Sequence, residues 1–167
     1  MAYRNKTYIA FDADTDIKQY YLMTAWNAND DIDFNFHNAH ELNNLRANTS
    51  EKQIKLKLKE RLKNTKLMIV LLGENTKNLY KYVRWEMEVG LEMGLPIVVV
   101  NLNNHSSVDH DLCPKILKDE LALHIKYKQK AITWAIDNWI DRHNSLLKEG
   151  ESSSRILGAD YYKNNGI

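Results

Sequence analysis

Two uninterrupted apolar runs, Leu67-Met68-Ile69-Val70-Leu71-Leu72 and Ile97-Val98-Val99-Val100, do most to limit what this chain folds into. Neither alternates with polar residues, so each reads as a strand buried on both faces. That is the condition of a central strand in a parallel sheet covered by helices on each side. Between them, Tyr82–Met93 has helical spacing and is closed by Gly94 and Pro96. Strand, helix and strand in that order make the crossover unit that parallel pairing requires.

The same alternation extends in both directions. Tyr8-Ile9-Ala10-Phe11 is a short buried strand that stops at the acidic loop Asp12-Ala13-Asp14-Thr15-Asp16. A helix follows from Ile17 to about Asn27, with Ile17, Tyr21 and Ala25 on its apolar stripe and Leu22 and Trp26 beside it. Ile32, Phe34 and Phe36 alternate with Asp31, Asp33 and Asn35, the pattern of an edge strand with one wet face. His37–Thr49 is polar and without period. Ser50 then opens a helix, with Gln53 completing a capping box and Ile54, Leu58 and Leu62 forming its stripe. Beyond the loop Asn101–Pro114, Leu121–Tyr127 supplies a fifth strand. Ala131–Leu147 is an amphipathic helix with Ile132, Ile136, Trp139 and Ile140 on one side. The expected fold is α/β, a flavodoxin-like open parallel sheet in the order 2-1-3-4-5 with helices on both faces. Residues 1–149 form this domain, and 150–167 are a polar C-terminal tail expected to dock loosely or fray.

Composition excludes several classes of function. The 167 residues carry 23 Lys plus Arg against 22 Asp plus Glu, so no general field draws the chain to nucleic acid or an anionic membrane. The apolar runs are too short to cross a bilayer, and the N-terminus lacks the apolar segment of a signal peptide. A lone cysteine, Cys113, cannot form an intramolecular disulfide. A soluble cytoplasmic protein is expected.

In such sheets ligands sit beyond the carboxyl ends of the strands, in a crevice here lined by Asp12–Asp16, Gly73–Lys77 and the loop after the second strand. The acidic loop fails as a calcium loop, because Ile17 and Met23 occupy the positions that need Gly and Glu. It fails as a phosphate cradle because its carboxylates repel phosphate and no glycine frees the backbone. A phosphotransferase with Asp12 as nucleophile comes closer. It needs further acids or a lysine at later strand ends, and the fourth strand runs into Asn101-Leu102-Asn103-Asn104. For most of these acids a solvated turn that caps the first helix is the better reading. His37 and His40, and His105, His110 and Cys113, lack the spacing of a zinc site, so no metal is expected. The lysine-rich helix Lys52–Lys63 reads as a solvated face.

The helix around Glu86 says more. At 100° per residue, Val83, Met87, Gly90, Leu91 and Gly94 face the sheet, and Glu88 and Glu92 fall opposite in solvent. Glu86 falls on the margin of the apolar side, where a half-desolvated carboxylate stabilises positive charge or moves a proton. The alternative is a surface glutamate favoured by the helix N-terminus. Trp85 projects away from the sheet, where it either offers a contact surface for self-association or is partly covered by the tail.

Taken in order, Tyr8-Ile9-Ala10-Phe11-Asp12, the loop His40-Glu41-Leu42-Asn43-Asn44 with Arg46 and Ser50, Leu71-Leu72-Gly73-Glu74-Asn75-Thr76, and above all Tyr82-Val83-Arg84-Trp85-Glu86 before Gly94-Leu95-Pro96-Ile97-Val98 form one pattern. It resembles the TIR-like domains of the Thoeris ThsB group, over roughly residues 5–145. The resemblance implies a TIR-like fold and an antiviral enzyme that cleaves NAD⁺ between nicotinamide and ribose. NAD⁺ is then substrate, with no cofactor, and the remaining ADP-ribose closes into a cyclic signal that activates a separate effector. It implies Glu86 as the catalytic residue and Phe11, Asp12, Asn43, Arg46 and Tyr82 at the substrate. Phe11 and Tyr82 would offer flat surfaces to nicotinamide or ribose, and Arg46 a cation for the pyrophosphate. Many relatives carry Trp where this chain has Tyr82, so the aromatic wall is kept in kind. The rival reading is a non-enzymatic TIR-like adaptor that works by homotypic contact.

Overall fold

The structure is a computed structural model that describes residues 6–26, 34–36, 49–79 and 81–167. Among the described residues six strands form one sheet: β1 (Thr7–Ala10), β2 (Phe34–Phe36), β3 (Leu67–Leu72), β4 (Ile97–Asn101), β5 (Ala122–Lys126) and β6 (Arg155–Ile156). All are parallel, in the order β2-β1-β3-β4-β5-β6. The helices are α1 (Ile17–Trp26), α2 (Glu51–Leu62), α3 (Tyr82–Glu92), α4 (Lys115–Lys118), α5 (Gln129–Lys148) and α6 (Ala159–Asn164).

Alternation along each strand divides the core in two. Ile9, Phe11, Ile69, Leu71, Val98 and Ile125 face α1 and α5, where Tyr20, Met23, Ile132 and Trp139 cover them. Tyr8, Ala10, Met68, Val70, Leu72 and Val99 face α2, α3 and α4, under Ile54, Leu58, Leu62, Val83 and Met87. Every residue of β3 is buried, because water reaches neither face of a central strand.

The start of α2 is held by the expected box, with Ser50 and Gln53 satisfying each other's backbone amides. Helix α3 ends in a Schellman turn: the Gly94 amide donates to Leu91 O and the Leu95 amide to Gly90 O, and Gly94 takes φ +68°.

Three expectations need correction. In α1 the buried side chains are Tyr20 and Met23, whereas Tyr21 is 60% exposed. Glu88 does not stand free in solvent but pairs with Arg84 and with Lys55 of α2, tying the two helices together. The tail does not fray. Arg155–Ile156 adds β6 to the edge of β5, and Leu157 and Tyr162 are buried. The Tyr162 hydroxyl accepts the Lys126 amide, and the Lys126 ammonium lies 4.7 Å from the Tyr162 ring centre. No helix among the described residues is long and apolar enough to cross a membrane.

Candidate active site

Glu86 occupies a core position of α3. The buried stripe of that helix runs Val83, Glu86, Met87 and Gly90, so the carboxyl sits where an apolar side chain is the rule. Gly90 brings the helix close to the sheet, since a Cβ there would lie 2.7 Å from the Met68 methyl. At that separation Glu86 reaches β1, where Tyr8 points to the same face. The Tyr8 hydroxyl donates to Glu86 Oε1 at 3.0 Å.

Glu86 is only 5% exposed, deeper than the half-desolvated margin expected from helical spacing. Burial penalises the carboxylate and pushes its pKa up to about 8, against the opposing pulls of the Tyr8 hydrogen bond and the Arg61 charge. At neutral pH the resting side chain is therefore mostly the neutral acid, able to ionise if a positive charge comes near. Tyr8 was not recognised from the sequence. The available signal was a tyrosine inside a buried strand, whose hydroxyl must find a partner.

Of the other expected residues among those described, Phe11 and Asp12 lie elsewhere and Tyr82 shares the helix with Glu86. Tyr82 and Trp85 lie on its helix, ring edge to ring face with centres 5.5 Å apart, and both pack against the same core as Glu86. Trp85 is half-buried, so it is partly covered and not a fully exposed contact surface. Phe11 lies on the opposite face of the sheet and stacks on Tyr20, with centres 4.9 Å apart and planes 3° apart. It offers no open ring to a ligand beside Glu86. Asp12 is buried and spends both oxygens on its own turn: Oδ1 accepts the Asp14 amide at 3.1 Å and Oδ2 the Thr15 hydroxyl at 2.6 Å. Asp12 thus forms the turn that the plainer reading expected, buried instead of solvated. Asn43, Arg46 and most of the loop after β2 lie outside the described residues.

A crevice does form at the carboxyl ends of β1 and β3, where the winding reverses. It is a cavity of about 340 Å³ lined by Thr15, Asp16, Gly73, Glu74 and Asn103 among others. Asp16 lies over Gly73 so closely that a Cβ there would be 2.3 Å from its Oδ2. Burial, with the negative charge of Asp12 added, pushes the Asp16 pKa up to about 6. Its Oδ2 has no hydrogen-bond partner among the described residues. The crevice and the buried glutamate are separate places: Glu86 lines none of three cavities formed by the described residues. Among those residues, no three His, Cys, Asp or Glu side chains are grouped to hold a metal ion.

The chain is similar to known proteins in two respects. The sequence model of the family described as Thoeris protein ThsB, TIR-like domain, matches residues 8–107, a span that includes both Tyr8 and Glu86. A crystal structure of a conserved protein from Enterococcus faecalis V583 is similar over 92% of this chain and 91% of that one, at 13% identity and a TM-score of 0.44.

Proposed function

Because the chain belongs to the Thoeris ThsB TIR-like domain family, and so to the setting of anti-phage defence, we propose that it is an NAD⁺-cleaving enzyme with Glu86 as its catalytic carboxyl. Nicotinamide is released and a cyclic ADP-ribose-type signal is formed, which activates an effector. The observation that carries this reading is the carboxyl itself, buried on α3 against Tyr8 with its pKa raised to about 8.

When the bond between ribose C1′ and the nicotinamide nitrogen breaks, its electron pair leaves with nicotinamide. The ring loses its formal positive charge and the ribose becomes oxocarbenium-like. A carboxyl in an apolar surround meets that charge with little competing water, and such preorganised electrostatics commonly supplies several kcal/mol. The approaching cation favours ionisation of Glu86, reversing the effect of burial, so the attraction grows as positive charge moves onto the sugar. Attack on C1′ by a nucleophile within the ADP-ribose closes the ring, and attack by water gives linear ADP-ribose. In either case the attacking group gives up its proton, which the ionised Glu86 takes back as the positive charge on the sugar disappears. Tyr82 supplies the aromatic wall on the same helix. Productive contact requires Glu86, only 5% exposed, to be uncovered.

The same burial favours a second reading, in which Glu86 only packs α3 on β1 and the protein is an adaptor acting by homotypic contact. One experiment separates the two. Purified protein, alone and with lysate of phage-infected cells, is incubated with NAD⁺ and the nucleotides are identified by mass spectrometry. The enzyme reading expects nicotinamide and a cyclised ADP-ribose, both lost in Glu86→Ala while the variant stays folded by circular dichroism. Turnover retained at the wild-type rate in Glu86→Ala rejects the catalytic assignment. Absence of turnover under every trigger, with self-association intact, supports the adaptor.

A further inference from the structure

The largest of the three cavities, about 720 Å³, lies beside α3 and belongs to neither the Glu86 site nor the acidic crevice. Its walls come from three segments distant in sequence. Lys77 sits in the short helical turn after β3, Arg84 on α3, and Lys115 and Lys118 on α4. Asp111 is the one acidic residue in its lining. Four cations around one opening are a local concentration, because the whole chain is nearly balanced at a net charge of +1.

The cations have capacity to spare. Lys115 and Lys118 make no ion pair among the described residues. Arg84 meets Glu88 through Nε, which leaves its terminal Nη groups unbonded there. Lys77 donates to the backbone oxygen of Asp111 at 2.7 Å, a bond that fixes the lysine without neutralising it. The lining between the cations is mixed: Leu79 and Ile116 are half-buried, Met87, Cys113 and Pro114 are buried, and Thr76 and Asn78 add polar groups. Desolvation pushes the Cys113 thiol up to about 11, so it stays neutral and adds no charge of its own. A cavity of this volume, partly apolar and ringed by a few charges, has the size and make-up of a small-molecule site. Guanidinium and ammonium groups on several sides suit an anion with oxygens pointing in several directions.

We propose that this cavity is a binding site for an organic phosphate, an anion of the nucleoside diphosphate class whose phosphates meet Lys77, Arg84, Lys115 and Lys118 and whose flat body lies against Leu79 and Ile116. The site is distinct from the Glu86 carboxyl, since neither Glu86 nor Tyr8 lines it. Because Arg84 and Glu86 share α3, a ligand here bears on the helix that carries the proposed catalytic carboxyl.

Isothermal titration calorimetry of the full chain with ADP, inorganic pyrophosphate and adenosine at pH 7.5 tests this. ADP is expected to bind, more weakly as salt is raised, and at least tenfold more weakly in Lys115→Glu/Lys118→Glu. A control of equal charge change on α2, Lys52→Glu/Lys57→Glu, should bind within twofold of wild type, and so should Glu86→Gln. Adenosine alone should not bind, and pyrophosphate should bind more weakly than ADP. No ADP binding at millimolar concentration overturns the proposal, as does equal weakening by both charge variants. Loss of ADP binding in Glu86→Gln overturns it by placing ADP at the other site. Pyrophosphate binding as tightly as ADP overturns the nucleotide class and leaves a bare anion site.

Discussion

Glu86 and Asp16 are both carboxyls raised by burial, to about 8 and about 6, yet they stand in opposite settings. Glu86 is buried among apolar side chains and has a tyrosine hydroxyl on one oxygen. Asp16 lines an opening at the carboxyl end of the sheet, with Asp12 and Glu74 adding like charge and one oxygen unpartnered among the described residues. The contrast shows that a raised pKa and an open pocket are separate properties. Missing water sets the proton on Glu86, so an arriving cation reverses it. At Asp16 crowding by other acids adds to burial, and removing a neighbour relieves part of the shift.

The two settings diverge most in how stability follows pH. For Glu86 the folded pKa lies above the ordinary value of 4.5, so its contribution is fully present below pH 4.5 and is lost as pH rises through about 8. Glu86→Gln removes that loss. Thermal melts should show the variant more stable than wild type by ~5 °C or more at pH 8, with the gap closing by pH 4.5. For Asp16 the same sign holds over a lower and narrower window, from 3.8 to about 6, so Asp16→Asn should give a smaller gap already complete near neutral pH. Equal gaps over the same pH range would erase the distinction.

A second, smaller effect is steric. In Gly73→Ala the new methyl meets the Asp16 carboxylate, which should cost about 1–3 kcal/mol in chemical denaturation. Much of that cost should return in Gly73→Ala/Asp16→Ala. A fully additive double variant would mean that Asp16 does not fill the space over Gly73. The smallest change is at Tyr8. Tyr8→Phe deletes the donor to Glu86 and should cost about 1 kcal/mol at pH 7. Because that bond holds the Glu86 pKa down, its loss should also move the pH midpoint of the stability curve above 8.

The parts of the fold legible in the sequence are those with one physical solution. Leu67–Leu72 and Ile97–Val100 have no polar residue to turn toward water, and Ser50 with Gln53 satisfies local amides wherever the helix packs. Ambiguity began where two solutions compete. Tyr20-Tyr21-Leu22-Met23 offers two apolar stripes, and docking on Phe11 selected Tyr20 and Met23. The apolar run Tyr8–Phe11 hides which residue faces which layer, so Phe11 and Glu86 seemed able to meet although the sheet separates them. The tail joins the sheet through a two-residue strand and the isolated anchors Leu157 and Tyr162, too few for any period to register. Glu86 was visible at the edge of a helical stripe. Its depth depends on Gly90 meeting Met68 and on a tyrosine 78 residues away, contacts that no local pattern contains.

The most direct test of the account is the pH dependence of nicotinamide release from NAD⁺ under activating conditions, wild type against Glu86→Gln. If the ionised form of Glu86 is the working one, wild-type kcat/KM should climb about tenfold per unit at low pH and level off above pH 8. Glu86→Gln should turn over at least ~100-fold more slowly and show no such climb. A Gln variant that matches wild type in rate and profile would contradict the claim that this buried carboxyl carries the reaction.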